Sequence, residues 1–283
     1  MDDLLKGVVE WIFNVITFSV DNSNVTSSLG NFSPALNDYA TAIMNTVMKP
    51  IGYVILSLFL VLELQKIALK VESTGGNGQL GFELVMKTLI KMALCKLAMD
   101  SLSLFLNAIT ELSTYMTNKI KALNVETIDT SGLYDSQTVL DPIMDEGFWL
   151  KLGVFLVLLI VLLITIGSVV MVQVIVNMRF LEMYVLLAVA PIPIATIPHD
   201  EWSSVAKNFF KTFASVALQG TLIYMVMTFY PYMLKSTLET LGNEGGGMEI
   251  FLKIVIGLLG NSILLVFAMM ATGRWAKSIT NAM

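Results

Sequence analysis

The run LGVFLVLLIVLLITIGSVVMVQVIVNM, residues 152–178, contains no charged side chain and lies between Lys151 and Arg179. About 20 apolar residues are enough for a helix to cross the hydrocarbon core of a bilayer, so this run predicts a membrane-spanning helix. The whole chain agrees, because 55% of its 283 residues are hydrophobic and only 14% are charged. Soluble domains carry about 25% charged residues. The composition therefore excludes most soluble proteins and predicts an all-α, multi-pass membrane protein.

Three other segments have the pattern of spanning helices. Residues 212–234 and 254–273 are free of charge between basic residues, and residues 43–69 have a shorter charge-free centre with Lys49 near one end. A lysine in that position reaches the headgroups with its long side chain. Together with the more ambiguous segment 84–112, these runs predict about five transmembrane helices.

Segment 84–112 is apolar in composition but carries charges along its length, including Lys87, Lys91, Lys96 and Asp100. Lys96 and Asp100 are one helical turn apart, so an ion pair between them would partly neutralise both. At about 100° per residue, Lys87 and Lys91 lie roughly on the opposite face of the helix. Ionisable side chains at membrane depth avoid lipid. All four residues are therefore predicted to face a lumen or a subunit interface.

Residues 183–198 contain three prolines, among them Pro191 and Pro193, and are short for a crossing. Proline removes an amide donor and breaks a helix, and irregular backbone at membrane depth is tolerated only inside protein or beside water. The pattern predicts a proline-broken re-entrant hairpin, with a sixth crossing as the alternative. Arg179 and Glu182 are three residues apart and are predicted to pair at the hairpin entrance.

The N-terminal region, residues 1–42, is predicted to lie outside the transmembrane domain, residues 43–283. Apolar residues recur at helical spacing over residues 3–20 opposite charged ones, which predicts an amphipathic helix in the plane of the membrane interface. Residues 21–38 are rich in Asn and Ser. This composition predicts an exposed connector between the two regions.

The distribution of charge predicts how the chain is oriented. With five crossings and an external N-terminus, a set of basic residues falls on the inner side: Lys66, Lys70, Lys87, Lys91, Arg179, Lys207, Lys211, Arg274 and Lys277. The longer loop at residues 113–150 falls outside and carries a net charge of -4. Basic residues accumulate on the cytoplasmic side of membrane proteins. The pattern therefore predicts an external N-terminus, an external loop at 113–150 and an internal C-terminus.

The chain offers few residues for metal or nucleophilic chemistry, since Cys95 is its only cysteine and His199 its only histidine. Residues 76–81 match G-x-G-x-x-G, but a dinucleotide site needs this pattern after a strand, and here it follows a membrane helix. His199 precedes two carboxylates and is interpreted as a helix cap and a marker of the membrane edge. We predict no catalytic residue, no metal and no cofactor.

A second group of motifs extends from the end of the central span into the next helix. RFLEMYVLLAVAPIP at residues 179–193 is followed by Trp202, by KNFFK at 207–211 and by ALQG at 217–220. In these motifs the chain resembles the polytopic channel subunit in the cytoplasmic membrane of conjugative type IV secretion systems. The resemblance covers most of the chain after about residue 40.

The resemblance implies a protein without enzymatic activity, located in the bacterial cytoplasmic membrane and in contact with its lipid. Such a subunit would oligomerise, bind other secretion subunits including ATPases that supply the energy, and help to pass single-stranded DNA with its attached protein. The two charged faces of segment 84–112 also favour a homo-oligomeric ring, because a neighbouring subunit or an aqueous lumen can satisfy the second face.

The main alternative is a secondary transporter or a permease subunit for a small solute. Broken helices and charges at membrane depth are expected there too. Many such transporters are built from internal repeats, and the proline-broken segment 183–198 has no counterpart in the first half of the chain. The sequence therefore favours the secretion subunit over the transporter.

Overall fold

The computed structural model describes residues 2–20, 27–73, 78–123, 147–241 and 247–282. Over these residues the secondary structure is helical and contains no strand, which confirms the all-α class. A π-helical turn, Met44–Met48, joins the third and fourth helices. The helices are α1 (Asp2–Val20), α2 (Leu29–Phe32), α3 (Pro34–Ile43), α4 (Lys49–Ser73), α5 (Gly78–Asp100), α6 (Leu102–Ala122), α7 (Phe148–Val189), α8 (Pro191–Ile194), α9 (Ser203–Leu241) and α10 (Gly247–Thr280).

Four helical stretches of the described chain are long and apolar enough to cross a membrane. They are Pro34–Ser73, Phe148–Val189, Ser203–Thr237 and Phe251–Thr280. Each contains one of the spans predicted from the sequence, which confirms the multi-pass membrane class. The fifth predicted span, residues 84–112, is not among the four because charged residues interrupt its apolar run.

That fifth segment is divided between two helices, since a turn at Ser101 separates α5 from α6. The Ser101 amide still donates to the Leu97 carbonyl at 3.0 Å, so the break is small. Asp and Ser favour such breaks because their side chains compete for backbone hydrogen bonds. The prediction of one uninterrupted helix over 84–112 is therefore wrong.

The helix α5 runs antiparallel beside α4. A methyl group added at Gly81 would lie 3.1 Å from Val71, near the end of α4. A methyl group added at Gly52, near the start of α4, would lie 3.1 Å from the Met99 sulfur at the other end of α5. The two helices are therefore in contact at both ends, and α5 follows α4 over most of its length.

Packing divides the chain into two compact units. The first contains Met1–Ser27, Thr114–Met178 and Gln219–Trp275, and the second contains Ser28–Ser113, Arg179–Leu218 and Ala276–Met283. Small hydroxyl groups meet inside the first unit, where Thr165 lies 3.4 Å from Ser262 and Thr117 lies 3.1 Å from Thr221. Pairs of this kind let membrane helices approach closely. The predicted boundary at residue 42 separates an N-terminal region from the transmembrane domain along the sequence. The packing units do not test it, so it stays a prediction.

The amphipathic helix α1 belongs to the first unit. Leu5, Val9 and Ile12 are buried, whereas Leu4 and Trp11 are exposed on the adjoining face. The helix therefore presents one apolar stripe to the protein and a second one to its surroundings, the arrangement expected of a helix at the membrane interface.

A salt bridge ties the start of α1 to the start of α7. Lys151 Nζ donates to Asp2 Oδ1 at 2.8 Å. The neighbouring ammonium group holds the pKa of Asp2 below its ordinary value.

Two of the predicted loops are shorter than expected. The connector predicted for residues 21–38 includes α2 and the first half of α3, so that prediction is wrong from Leu29 onward, and residues 21–26 lie outside the described residues. Ser33 caps α3 by accepting from the Leu36 amide, and Pro34 starts the helix, so the polar residues begin a helix there. In the predicted external loop, α6 extends to Ala122 and α7 begins at Phe148. Residues 124–146 lie outside the described residues.

Candidate functional site

The segment that links α7 to α9, residues 190–202, is called the proline turn here. The structure corrects the extent of the hairpin predicted for residues 183–198, because α7 continues through Val189 and the chain reverses only at the prolines. Pro191 and Pro193 lie in the four-residue helix α8, where their missing amides end the long helix. A series of short turns then leads into α9. The proline-broken element is therefore a compact turn, and its re-entry into the membrane stays a prediction.

Within the second unit, the proline turn packs against α4 and α5. Ala190, Ile194 and Ala195 are buried. At Gly52 an added methyl group would lie 3.0 Å from the Pro191 carbonyl oxygen, so only glycine permits this approach without a shift. Cys95 of α5 donates its thiol to the Ile194 carbonyl at 3.3 Å. The irregular backbone is thus enclosed by protein, as polar groups in an apolar environment require.

Two lysines connect the end of the proline turn to the same two helices. Lys66 of α4 donates to Glu201 at 2.9 Å, and Lys91 of α5 donates to Asp200 at 3.2 Å. These four residues are called the lysine clamp. The ammonium group of Lys66 holds the pKa of Glu201 below its ordinary value, chiefly through their hydrogen bond. All four side chains are largely exposed, so each pair is weak by itself. The clamp connects the turn to α4 and α5 and by itself adds little to the stability of the fold.

His199 lies next to Lys66 of the lysine clamp and is buried. Its residue surface is 2% exposed, and its ring centroid is 5.0 Å from that of Phe59. Nε2 lies 3.4 Å from the Lys66 ammonium nitrogen, whereas Nδ1 is buried and has no hydrogen-bond partner among the described residues. The proline turn folds the imidazole inward, and the interpretation of His199 as a marker of the membrane edge stays a prediction. Its carbonyl does accept from the Ser203 amide at the start of α9.

Arg179 is buried on α7 and donates to α9. Its Nε lies 3.2 Å from the Val216 carbonyl and its Nη2 lies 3.5 Å from the Ala217 carbonyl. The guanidinium carbon is 4.8 Å from the centroid of the Phe180 ring. Glu182 is exposed and forms no ion pair with Arg179, so the predicted pair is wrong. Arg179 binds the carbonyls of Val216 and Ala217 in α9 instead of the Glu182 carboxylate.

The four charged residues predicted on segment 84–112 do not act as one group. Asp100 accepts a short hydrogen bond from the Tyr53 hydroxyl, so the predicted Lys96–Asp100 pair is wrong. Lys91 pairs with Asp200 in the lysine clamp. Lys87 and Lys96 are exposed and have no hydrogen bond or ion pair within the described chain. Partners on other elements therefore outweigh the i,i+4 spacing.

Several residues of this site carried no signal in the sequence. Tyr53 and Gly52 lie in an apolar run where neither residue type is unusual, and Tyr184 lies in another. The Tyr184 hydroxyl donates to the Leu29 carbonyl at 2.6 Å and attaches the N-terminal segment to α7. The charge of Lys66 was apparent, but its partner Glu201 is 135 residues away. These contacts join residues far apart in the sequence, so they could have been identified only by knowing which distant segments of the chain touch each other.

Comparison with known proteins gives one match. The family described as "TrbL/VirB6 plasmid conjugal transfer like protein" matches residues 18–191, more than half of the chain, up to the first proline of the turn. No curated protein and no solved structure matches the chain. The family confirms the resemblance seen in the sequence and identifies a membrane subunit of a type IV secretion system for conjugal transfer. The chain therefore belongs to the TrbL/VirB6 family of plasmid conjugal transfer proteins.

Proposed function

We propose that this chain is a channel or scaffold subunit that helps single-stranded DNA and its attached protein to cross the cytoplasmic membrane during conjugation. Its family supports this role, since conjugal transfer moves DNA between cells. The chain contributes structure and no chemical step, and partner ATPases of the secretion system supply the energy. Its partners are the other secretion subunits, further copies of itself, membrane lipid and, transiently, the DNA.

The proposed topology has five crossings, an external N-terminus and an internal C-terminus. The contact of α5 with both ends of α4 supports the fifth crossing, because a helix that follows a spanning helix passes through the same depth. Two of the charged residues of α5 have partners in the protein, since Asp100 accepts from Tyr53 and Lys91 pairs with Asp200, which lowers the cost of a crossing. The positive-inside rule sets the direction.

One observation carries the proposal of an oligomer. Lys96 lies in the interior of α5, is exposed and has no partner within the described chain. A lysine at membrane depth is costly when it faces lipid, so it needs water or a neighbouring protein. Lys87 is nearer the inner end of the helix, where its side chain can reach the headgroups. We infer that Lys96 faces a second copy or a lumen, and that closed rotational symmetry satisfies every copy equally.

The proposal is tested in mating donor cells. A tagged chain is cross-linked with formaldehyde during transfer and purified, and the transferred strand is quantified against a chromosomal locus. We expect enrichment of the transferred strand and a discrete homo-oligomer larger than a dimer. Lys96→Met is expected to lower both, whereas Lys277→Met, which removes an exposed lysine near the end of α10, is the matched control.

Two outcomes would contradict the proposal. Normal conjugation without recovery of the transferred strand would contradict the proposed contact of the chain with DNA and exclude the channel role. A stable monomer with full activity would exclude the ring and move the permease alternative to first place.

A further inference from the structure

The contact with Lys66 constrains which nitrogen of His199 carries a proton. Lys66 carries only donors, so the contact of its ammonium group with Nε2 requires a lone pair on that nitrogen. The ring is then neutral and carries its proton on Nδ1, which is buried. The observed arrangement of the proline turn is thus that of a neutral histidine.

A second proton would change this contact from attraction to repulsion. An imidazolium has no lone pair on Nε2, and it would place a positive charge 3.4 Å from the charge of Lys66. The ring cannot turn to water without leaving its site, because it is 2% exposed and lies against Phe59. The repulsion between His199 and Lys66 is therefore relieved by movement of the proline turn.

The other charged groups around His199 do not remove the conflict. Glu201 binds Lys66 at 2.9 Å and offsets part of its charge, but it is on the exposed side of the clamp. Asp200 is engaged by Lys91 of α5 at 3.2 Å. Trp202 and Phe59, 6.2 Å apart between ring centroids, are the aromatic residues on this side and supply no acceptor. The charged group in contact with the imidazole is thus the Lys66 ammonium group, whose charge is partly offset by the carboxylates of Glu201, Glu63 and Asp200.

We propose that the proline turn is a proton-sensitive latch, in which protonation of His199 separates it from Lys66 and releases the turn from α4 and α5. The latch is closed while the imidazole is neutral and opens when the imidazole is protonated, because the charged ring is repelled by Lys66. His199 is the only histidine in the chain, so no other side chain of this type contributes. The latch is a property of the folded chain and does not rest on the channel function proposed above.

The chain contains its own reporter of the latch. Cys95 is the only cysteine, is 3% exposed and donates to the Ile194 carbonyl inside the turn. A reagent reaches its sulfur only when the turn moves away from α5. The rate of labelling therefore measures how often the latch is open.

The experiment uses the full chain in lipid nanodiscs and N-ethylmaleimide, a small uncharged thiol reagent. The labelling rate at each pH is divided by the rate of the same chain in denaturant, which removes the intrinsic pH dependence of the thiol. Protection of Cys95 is expected to fall by about fivefold between pH 8 and pH 5, the effect of a repulsion as large as a strong exposed ion pair. Hydrogen exchange of the turn amides gives a second readout.

Three variants separate the latch from general acid sensitivity. His199→Gln keeps an acceptor for Lys66 but gains no charge, so its protection should not depend on pH. Glu201→Gln leaves Lys66 less compensated and removes one pair of the clamp, so the loss of protection between pH 8 and pH 5 should be larger than in the original chain. Lys207→Met removes an exposed charge beyond the turn on α9 and should respond like the original chain. Retention of the response in His199→Gln, or constant protection in the original chain, would overturn the latch. If His199→Gln does not fold, Glu201→Gln, which changes only an exposed side chain, provides the test: an acid response no larger than that of the original chain would overturn the latch.

Discussion

The helices α7 and α5 differ in what holds them in place. In α7 the described side chains from residue 152 to residue 178 carry no charge, and Leu156, Ile160 and Leu163 are exposed on one face where lipid suits them. In α5 the exposed face includes lysines, and the helix is positioned by specific contacts with α4 and the proline turn. The surroundings determine the place of α7 from residue 152 to residue 178, whereas partner residues determine that of α5 and of the end of α7 from Arg179 onward. Substitutions at contacts with specific partner residues should therefore lower the free energy of unfolding more than substitutions on the lipid-facing surface.

The largest effect is expected at Arg179. Arg179→Glu would place a carboxylate against two carbonyl oxygens in a buried site, and we expect a loss of on the order of 3 kcal/mol or more in the free energy of unfolding. Unfolding of the purified chain by a denaturing detergent measures this loss. Glu182→Lys, on the exposed side of the same helix, should have little effect.

The double reversal of Arg179 and Glu182 distinguishes the structure from the pairing expected from spacing. If the two residues formed an ion pair, the double variant would recover much of the lost stability. The structure predicts that it remains as unstable as Arg179→Glu alone. Recovery would show that the carbonyls of α9 are not the partners of Arg179.

The next effect separates two glycines. Gly52→Ala adds a methyl group 3.0 Å from the Pro191 carbonyl oxygen and 3.1 Å from the Met99 sulfur, and it should cost about 1–3 kcal/mol as overpacking does. Gly167→Ala in α7 meets no atom within 4 Å and should stabilise its helix by about 0.5–1 kcal/mol. Thermal stability of the two variants in one detergent makes the comparison. Equal effects would mean that α4 does not touch the turn.

A smaller effect is expected where α5 meets α4 at Asp100. Tyr53→Phe removes the hydroxyl that donates to Asp100 and should cost about 1.5 kcal/mol, the lower end for a hydrogen bond to a charged group. Lys96→Met removes a charge that has no partner in the described chain and should leave the monomer as stable as before. Double-mutant cycles that combine Asp100→Asn with Tyr53→Phe or with Lys96→Met measure the coupling energy of Asp100 to each of the two residues. A larger coupling of Asp100 to Lys96 than to Tyr53 would restore the pair predicted from the sequence.

The smallest effect is that of acid on the lysine clamp. Because Lys66 lowers the pKa of Glu201, their pair stabilises the fold above the ordinary glutamate value of 4.5 and loses this contribution as the pH falls through the lower folded value. Unfolding of His199→Gln between about pH 6 and pH 3 isolates this step from that of the histidine. Glu201→Gln in the same background should flatten the profile in this window. An unchanged profile would show that the pair contributes nothing to stability.

The predictions from sequence were correct where the membrane determines the position of a segment. They failed where a residue distant in the sequence determines the partner of a side chain. An uncharged run such as 152–178 has one favourable location, so the spanning helices and the all-α class could be recognised from composition alone. Lys96 and Asp100, or Arg179 and Glu182, could only be paired by local spacing. Tyr53 and the carbonyl of Val216 lie 47 and 37 residues away from Asp100 and Arg179, and local patterns do not reach them.

The crossing of the membrane by α5 is tested most directly by the reactivity of single cysteines in a Cys95→Ala background. Gly78→Cys lies at the start of α5 and Ser131→Cys follows α6, beyond the described residues. With an impermeant thiol reagent on intact cells, Ser131→Cys should react, and Gly78→Cys should react only after the cells are opened. Labelling of both positions on intact cells, or of neither, would place the two ends on one side and contradict the fifth crossing.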